Sequence, residues 1–404
     1  MRSPLGDIAD VFYGKSPGGV LDVSGQVPIF GTGGVYGLAN QRLFVGPAIV
    51  VPRKGSLGNP QYVDGPFWPS DTTYAVLPKV GTDARWLFYS LANFDLSKLN
   101  EATGVPSINR AWLCRIALRR TDLDEQERIA EILSTLGEAI EQTEALIAKT
   151  QAIKAGLMHD LFTRGITANG ELRPPREEAP QLYKDSPLGW IPKEWYCRQL
   201  GELAEIVSGV TLGQSAGSTG VEVPYLRVAN VQDGHFDLRE IKSVGVAAAQ
   251  LVKLMLQPGD VLMNEGGDFD KLGRGAVWSG EISPCIHQNH VFRVRPKAGS
   301  IRSQYLAYWS QTATGRRYFL ISSKQSTNLA SINSTQLHRF PIAVANEVEQ
   351  VAIETRLLAV DAQVAQLQRE LSIRESLKHG LMHDLLTGRV AVPLPESEAL
   401  AADA

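Results

Sequence analysis

Apolar residues recur at steps of three and four along two long stretches of the chain, residues 122–165 and 346–389. This spacing puts them on one face of an α-helix and is typical of the seam of a coiled coil. Each stretch predicts a single helix of about 44 residues, roughly 65 Å long at about 1.5 Å per residue. The residues that we expect to pair the helices are Ile129, Leu133, Leu136, Ile140, Ile147, Leu157, Ile353, Leu357, Val360, Val364, Leu371 and Leu381.

The two stretches are copies of one another, related by an offset of 224 residues. The string GLMHDL occurs at Gly156–Leu161 and again at Gly380–Leu385. Both stretches begin with a capping-box pattern, which satisfies free amides of the first turn, and both end near a glycine that can adopt a left-handed conformation. These residues are Asp122, Glu125 and Gly165 in the first copy and Asn346, Glu349 and Gly388 in the second.

A helix of this length needs a partner for its apolar face, and the nearest candidate is the other copy. Three polar residues, Thr143, Thr150 and Arg374, interrupt the seam. The alternative is that the two helices pack separately on globular cores. Because the caps, the length and the phase of the pattern coincide, the sequence favours pairing of the two copies with each other.

The repeat extends into the blocks that precede the helices. Ser107–Asn109 matches Ser331–Asn333 at the same offset, and LGDIADVFYG at Leu5–Gly14 matches LGELAEIVSG at Leu200–Gly209 at an offset of 195. The second block is therefore longer by 29 residues in its interior. Short β-rich runs alternate with glycine-rich turns in both blocks, which predicts mixed α/β globules.

These patterns predict a mixed α/β fold with an internal repeat, in which two similar globular domains are separated by two long coiled-coil helices. The linker between the copies carries five prolines and no helical period, so we expect an extended connector. The predicted segments are a first globular domain at 1–121, a first helix at 122–165, a proline-rich linker at 166–199, a second globular domain at 200–345, a second helix at 346–389 and a flexible C-terminal tail at 390–404.

The charge alternates along the chain, although the net charge is only −3. Residues 1–120 hold 12 basic and 8 acidic side chains, and residues 200–343 hold 14 and 11. The helical stretches are acidic, with 4 basic against 9 acidic side chains in 121–165 and 5 against 10 in 344–404. Two mildly basic domains therefore alternate with acidic helices, which the whole-chain charge conceals.

The location follows from cysteine usage and the absence of apolar runs. Cys114, Cys197 and Cys285 are scattered and odd in number, which fits reduced thiols rather than a disulfide or metal framework. The first residues lack the apolar core of a secretory signal, and no run is apolar and long enough for a membrane helix. We therefore expect a cytoplasmic protein.

Four short motifs suggest catalysis or metal binding, and each lacks an essential part. GKS at Gly14–Ser16 lacks the earlier glycine of a phosphate loop, because Ala9 holds that position. NPQY at Asn59–Tyr62 faintly resembles the motif of amino-methyltransferases, but a glutamine replaces the second proline. HQNH at His287–His290 and HGLMH at His379–His383 have ligand-like spacing without a third ligand cluster. We expect no metal ion and no catalytic residue in this chain.

Several segments together resemble the conserved regions of type I restriction–modification specificity subunits. The doubled GLMHDL with its preceding heptads carries most of the resemblance, which covers nearly the whole chain in the family's order. The other matching segments are PFWPSDTTYAV at Pro66–Val76, YKDSPLGWIPKEW at Tyr183–Trp195, and TGVPSIN and STNLASIN before the two helices. One departure is that nothing corresponds to Tyr183–Trp195 ahead of the first domain, which leaves the packing of residues 1–10 open.

The resemblance implies that each globular domain is a target recognition domain for one half of a bipartite sequence in double-stranded DNA. The two long coiled-coil helices would pack antiparallel, which gives the chain internal pseudo-twofold symmetry. The paired helices would set the gap between the half-sites and dock two modification (methyltransferase) subunits, with ATP-dependent restriction subunits added for cleavage. This chain would be non-catalytic and hold no cofactor, because S-adenosylmethionine and ATP belong to the partner subunits. The rival interpretation is a two-lobed coiled-coil adaptor that joins proteins without binding DNA.

Basic and amide side chains in the divergent interiors of the domains are the candidates for DNA contact. Arginine and lysine bind guanine or phosphate, whereas glutamine and asparagine suit adenine. For HQNH, the alternative is a strand edge with polar side chains in water. Asn109 and Asn333 occur in both copies, which favours a structural role. The candidates are Lys15, Arg53, Lys54, Arg110, Lys271, Arg274, Gln288, Asn289, Lys324, Gln325 and Asn328.

Overall fold

The computed structural model describes residues 2–212, 220–267, 272–325 and 330–392. The described chain divides into two compact units, bounded by residues 1–147 with 366–404 and by residues 148–365. Each unit combines one globular domain with parts of the two long helices. The predicted fold class, mixed α/β with two separate domains, is confirmed.

Strands and helices are numbered separately in chain order. The first domain contains β1 (Arg2–Pro4), α1 (Leu5–Ile8), β2 (Ala9–Tyr13), β3 (Val27–Gly31), β4 (Gly34–Ala39), β5 (Phe44–Val45), β6 (Ala48–Pro52), β7 (Gln61–Val63), β8 (Pro66–Pro69), β9 (Thr73–Pro78), α2 (Ala84–Ala92), α3 (Arg110–Cys114) and β10 (Ala117–Arg119). The first long helix is α4 (Leu123–Thr163).

The second half of the chain follows the same order with additions. Its elements are β11 (Tyr183–Lys184), β12 (Ile191–Pro192), β13 (Tyr196–Gln199), α5 (Leu200–Leu203), β14 (Ala204–Ser208), β15 (Val221–Leu226), β16 (Lys242–Val246), α6 (Ala248–Leu254), β17 (Val261–Asn264), β18 (Gly266–Gly267), β19 (Gly275–Val277), β20 (Ile286–His287), β21 (Val291–Pro296), α7 (Ser303–Gln311), α8 (Ala313–Ser322), β22 (Lys324–Gln325), β23 (Ala330–Ser331), α9 (Ser334–His338) and β24 (Pro341–Val344). The second long helix is α10 (Glu347–Thr387).

Two four-stranded sheets form the first domain. One has the order β2-β9-β6-β7 and is antiparallel throughout. The other has the order β4-β3-β8-β5, in which β3 and β8 run parallel. The continuous apolar run of β6 is buried along its whole length, as such a run predicts. Helix α2 begins at Asp83, whose side chain accepts from the amide of Trp86, and buries Trp86 and Leu87 in the domain core.

The second domain repeats the antiparallel sheet strand for strand and three of the four strands of the other sheet. Its antiparallel sheet has the order β14-β21-β17-β19, and its other sheet, β16-β15-β20, again contains one parallel pair, β15 with β20. The extra residues lie between β15 and β16 and in helices α6 and α8. The internal repeat predicted from the two offsets is therefore present in the sheets as well as in the helices.

The first residues pack within their own domain, which answers the question that the sequence left open. β1 pairs antiparallel with β10, just as β13 pairs with β24 in the second domain. Leu5 is fully buried, and its amide donates to the carbonyl of Ile116 at 2.8 Å. The first residues are therefore ordered by contacts within their own domain.

Helices α4 and α10 run antiparallel within each unit. In the first unit, Arg374 Nη1 donates to the carbonyl of Ala139 at 3.1 Å and to the hydroxyl of Thr143. In the second unit, Lys154 Nζ lies 2.6 Å from a carboxylate oxygen of Asp361. Two of the three polar residues that interrupt the seam, Thr143 and Arg374, are thus bonded to each other rather than left unpaired.

The twelve apolar seam residues are all buried or half-buried. Ile129, Leu133, Ile353 and Leu357 are fully buried, because these parts of the helices also pack on the globular domains. The other eight are half-buried. A pair of helices covers each side chain of its seam from one direction, so partial exposure is what this packing produces.

An arginine joins the ends of the two helices in each unit. In the second unit, Arg173 donates to Glu349 Oε1 at 2.5 Å in the first turn of α10 and to a carbonyl just after α4 at 3.2 Å. In the first unit, Arg119 donates to Glu125 Oε1 at 2.8 Å in the first turn of α4 and to a carbonyl in the last turn of α10 at 3.0 Å. The glutamates are matched by the repeat, whereas the arginines come from different parts of the chain.

The linker is not the extended connector that its prolines predict. It forms a short hairpin of β11 with β12 and buries Tyr183, Ile191 and Trp195. The indole Nε1 of Trp195 donates to Glu349 at 3.0 Å. The prediction is wrong because burial of these large apolar side chains is more favourable than their exposure in a solvated connector. The predicted tail also packs at its start, where Val392 is buried, and residues 393–404 lie outside the described chain.

Candidate nucleic-acid interface

All four DNA-contact candidates of the first domain lie at one edge of its antiparallel sheet. Arg53 and Lys54 follow β6, Lys15 follows β2, and Arg110 begins α3. The backbone holds these segments together: the amide of Arg53 donates to the carbonyl of Thr72 at 2.8 Å, and the amide of Lys15 donates to the last carbonyl of β8 at 3.0 Å. Three of the four side chains are exposed, and Arg53 is half-buried.

Tyr13 is the centre of this group, and sequence reasoning missed it. Its ring is 48% exposed and lies 5.1 Å from the guanidinium carbon of Arg53 and 5.9 Å from that of Arg110. The buried ring of Tyr74 supports it at 5.2 Å, and burial, together with Tyr13, raises the pKa of Tyr74 to about 12. An exposed ring beside two guanidinium groups suits a polyanion that also carries planar bases. We call Tyr13, Lys15, Arg53, Lys54 and Arg110 the cationic edge.

Gly14 explains the GKS motif structurally. A Cβ at this position would overlap the carbonyl oxygen of Ser70, and a Cβ at the matched Gly209 would overlap that of His287. Both glycines allow two segments of backbone to approach closely at the end of the sheet. The lysine that follows Gly14 is exposed at the cationic edge, so the motif is an irregular segment that directly follows β2.

The matched edge of the second domain is built around Glu265, which sequence reasoning also missed. Its amide donates to the carbonyl of His290 at 3.0 Å, and its carbonyl accepts from the amide of Ile332 at 2.8 Å. Its carboxylate Oε2 lies 2.5 Å from His290 Nδ1. The signal was available, because Glu265 follows the apolar run of β17 by the same spacing that separates Arg53 from β6.

The described candidates of the second domain lie on segments that adjoin Glu265 or its partner His290. Gln288 and Asn289 are half-buried and directly precede His290. The carbonyl of Arg274 accepts from the amide of Asn264, and Lys324 is exposed on a strand of the small sheet β18-β23-β22 that follows Glu265. Lys271 and Asn328 lie outside the described residues, and only the backbone of Gln325 is described.

His287 corrects one expectation for the HQNH segment. Its side chain is fully buried instead of facing water at a strand edge, and its Nδ1 lies 2.6 Å from the carbonyl oxygen of Val291. Burial lowers the pKa of His287 to about 4, so the imidazole is neutral at physiological pH. The reason is alternation along the chain, which turns His287 into the core and leaves His290 exposed.

Asn109 and Asn333 have the structural role that their repetition predicts. The side chain of Asn109 accepts from the amide of Ala111 at 2.8 Å and caps α3. That of Asn333 accepts from the amide of Gln336 at 2.9 Å and caps the matched helix α9. Their side chains are therefore occupied in ordering the segment that follows each edge.

The remaining motifs are engaged in packing or exposed on a helix. In NPQY, Gln61 donates to the carbonyl of Gly31 at 3.2 Å, and the Tyr62 ring lies 4.9 Å from the guanidinium carbon of Arg85. His379 and His383 are exposed on α10. Among the described residues, no three or more histidine, cysteine, aspartate or glutamate side chains are grouped to hold a metal ion. In the same part of the chain, no helix has the length and apolarity to cross a membrane.

A family model for the type I restriction modification DNA specificity domain matches residues 1–151 and 192–374. The chain belongs to this family. Each matched segment of the specificity protein contains one of the two edges described above. The cationic edge lies in the first segment, and the edge around Glu265 lies in the second. The resemblance inferred from the repeated helices is therefore confirmed.

Specificity subunits from Methanocaldococcus jannaschii are similar to this chain in sequence. The MjaVIII specificity subunit of a type I restriction enzyme is 26% identical over 318 residues, which are 77% of this chain and 71% of that protein. The MjaX specificity subunit is 25% identical over 207 residues, which are 51% of this chain. The match spans only 48% of the MjaX protein.

Solved structures of specificity subunits have a similar fold. The S subunit of a type I restriction–modification system from M. genitalium superposes with a TM-score of 0.62 at 16% identity, covering 96% of each chain. A chain from a structure of type I complex assembly and conformational transition gives a TM-score of 0.54 at 17% identity, covering 96% of this chain and 97% of that one. The two-domain architecture is therefore shared along nearly the whole chain.

Proposed function

We propose that this chain is the DNA sequence-specificity subunit of a type I restriction–modification complex, in which each globular domain recognises one half of a bipartite target in double-stranded DNA. One observation carries the proposal. The two domains repeat one topology and place different polar side chains at the same edge of the sheet. A repeated frame with divergent edges suits a target of two unlike halves.

The chemistry of the edges supports DNA as the ligand. Phosphate contacts need exposed cations, which the cationic edge supplies, and base contacts need side chains with directed donors and acceptors. Glu265 and its neighbours in the second domain supply such groups. We include the following described candidates in the DNA contact: Lys15, Arg53, Lys54, Arg110, Arg274, Gln288, Asn289 and Lys324.

The repeated string supports a further role for the helices as docking surfaces for two modification subunits. A Cβ added at Gly156 or at Gly380 would meet no described atom within 4 Å. Glycine inside a helix is less favourable than alanine by about 1 kcal/mol, so two matched glycines without an internal reason favour close approach by a partner. His159 and His383 are exposed beside them. Two like surfaces suit two copies of one partner.

The chemistry of the complex is proposed to lie in the partner subunits. We infer that this chain is non-catalytic and cytoplasmic, that the modification subunits bind S-adenosylmethionine, and that the restriction subunits use ATP. The apolar seam that pairs the two helices would then hold the two recognition domains at a set separation along the DNA. This separation would fix the gap between the half-sites.

A domain exchange tests the proposal. Residues 1–120 are replaced by the matching block of a relative, the chain is co-expressed with its modification subunits, and the methylated motif is determined by sequencing host DNA. One half of the motif should change and the other should persist. A change in both halves or in neither would contradict separate recognition, and the absence of any chain-dependent motif or DNA binding would favour the adaptor.

A deletion in the helices tests the separation. Removal of one heptad from each helix keeps the seam in phase and should shorten the gap of the methylated motif without altering either half-site. An unchanged gap in an assembled complex would refute the role of the helices in setting it.

A further inference from the structure

The two domains place their edge residues by the same backbone hydrogen bonds. The amide of Arg53 donates to the carbonyl of Thr72 at 2.8 Å, and the amide of Glu265 donates to that of His290 at 3.0 Å. The carbonyl of Arg53 accepts from the amide of Ile108 at 2.9 Å, and that of Glu265 accepts from the matching residue of the second copy at 2.8 Å. Arg53 and Glu265 therefore occupy one and the same position in the repeated fold.

The charge at this position is reversed between the domains. In the first domain, a guanidinium group lies beside Tyr13, Lys15 and Lys54. In the second domain, the matching side chain is a carboxylate, and the residues that match Tyr13 and Lys15 are Ser208 and Val210, which are uncharged. The fold is thus the same, while the side chain at this one position changes from a hydrogen-bond donor to an acceptor.

The carboxylate of Glu265 is available to a ligand. Its side chain is 27% exposed, and its ion pair among the described residues is with His290, whose side chain is 58% exposed. Oε2 faces His290 Nδ1, and within the described part of the chain no side chain or amide donates a hydrogen bond to Oε1. The phosphates of DNA repel a carboxylate, and a hydrogen bond that the carboxylate accepts from a base offsets this repulsion. The exposed hydrogen-bond donors of bases in the major groove are amino groups.

We propose that Glu265 recognises a base in the second half-site by accepting a hydrogen bond from the exocyclic amino group of cytosine or adenine. His290 is a positioning residue, which holds the carboxylate through Oε2 and leaves Oε1 directed to the base. This inference rests on the DNA-recognition function proposed above. It also accounts for the matched arginine, since Arg53 would present donors to the acceptor edge of guanine in the first half-site.

The test measures base preference at every position of the motif for the full chain with its modification subunits, by methylation sequencing. Glu265→Ala should reduce discrimination at one position of the second half-site by about tenfold or more and leave the first half-site unchanged. Glu265→Gln shows which of the two bases is recognised, because glutamine binds adenine well. If the unaltered chain recognises adenine at this position, the variant should still prefer adenine. If the unaltered chain recognises cytosine, the preference of the variant should move towards adenine. Glu202→Gln is the matched control, because Glu202 is an exposed glutamate that precedes β14 and so lies at the other end of that strand. This substitution should leave the base preference unchanged at every position of the motif.

The positioning role has its own readout. His290→Ala should weaken discrimination at the same position as Glu265→Ala and at no other, and His290→Gln, which keeps a donor for the carboxylate, should restore it. If His290 had only a structural role, His290→Ala would lower the melting temperature, and any loss of base discrimination would not be confined to one position of the motif.

Failure of the inference is distinguishable from failure of the proposed function. If the unaltered chain yields a bipartite motif and Glu265→Ala yields the identical motif with the identical preferences, Glu265 does not contact a base. If the unaltered chain yields no motif at all, the DNA-recognition function itself is wrong.

Discussion

Replacement of Glu349 by glutamine should destabilise the second unit by about 3–5 kcal/mol. The carboxylate of Glu349 is buried and accepts hydrogen bonds from the guanidinium of Arg173, the indole of Trp195 and the amide of Ile166. A glutamine has one acceptor oxygen in place of two. At least one of these buried donors therefore loses its partner, and the guanidinium loses its buried counter-charge.

The magnitude follows from the burial of the charge that remains. Arg173 is only 6% exposed. Burial by itself lowers the pKa of Arg173, but hydrogen bonds and charge from Glu349 outweigh burial and raise that pKa above its ordinary value. An arginine remains protonated even without this support, so the variant keeps a buried cation whose remaining ion pair is with the exposed carboxylate of Glu194, 3.4 Å away. Breaking a buried ion pair in this way typically costs about 3–5 kcal/mol.

Native-state hydrogen exchange measured by mass spectrometry tests this prediction unit by unit. Amides in peptides from residues 200–343 should exchange a hundredfold or more faster in Glu349→Gln, whereas peptides from residues 1–120 provide the internal reference. Glu347→Gln is the matched control, because Glu347 is exposed in the same helical turn and should alter stability by less than about 0.5 kcal/mol. A loss below about 1 kcal/mol, or an equal loss in both variants, would refute the reasoning.

Three further predictions concern the edges and the core. Gly209→Ala sets a Cβ against the carbonyl oxygen of His287 and should lower the free energy of unfolding, measured in urea, by about 1–3 kcal/mol. Gly156→Ala adds a Cβ in open space, so it should raise the free energy of unfolding by about 0.5–1 kcal/mol and weaken binding of the modification subunits. Equal effects of the two substitutions on stability would contradict the packing described. Burial lowers the pKa of His287 to about 4, below its value near 6.5 in the unfolded chain, so the unfolded chain binds more protons between these pH values. The contribution of neutral His287 to stability is therefore complete above pH 6.5, and the free energy of unfolding should fall by about 3 kcal/mol as the pH drops to 4. His287→Leu should remove this part of the pH dependence in urea titrations. A slope unchanged by that substitution would exclude His287 as the cause. Lys54→Gln should reduce the dependence of log Kd for DNA on log salt concentration by about one unit, whereas Arg120→Gln, also exposed, should leave it unchanged; the reverse order would place the phosphate contact elsewhere.

Local pattern determined much of this protein. The two long helices follow from the spacing of their apolar residues, because an amphipathic period is a property of neighbouring positions and needs no knowledge of the fold. The repeat at two offsets predicted two like domains, and the sheets have the repeated order. Residue type in a divergent, basic interior predicted DNA contacts at Lys15, Arg53, Lys54 and Arg110. Nothing in the sequence alone showed that these four residues lie at one edge.

Tertiary structure decided which residues share an edge. Tyr13 became the centre of the cationic edge because hydrogen bonds between segments far apart in the chain bring β2, β6 and α3 together. Glu265 emerged in the same way, since the two copies retain the backbone contacts of this position and have lost its residue identity. Burial likewise turned the linker into part of a core, because Trp195 finds an apolar site and a carboxylate partner that only the folded chain creates.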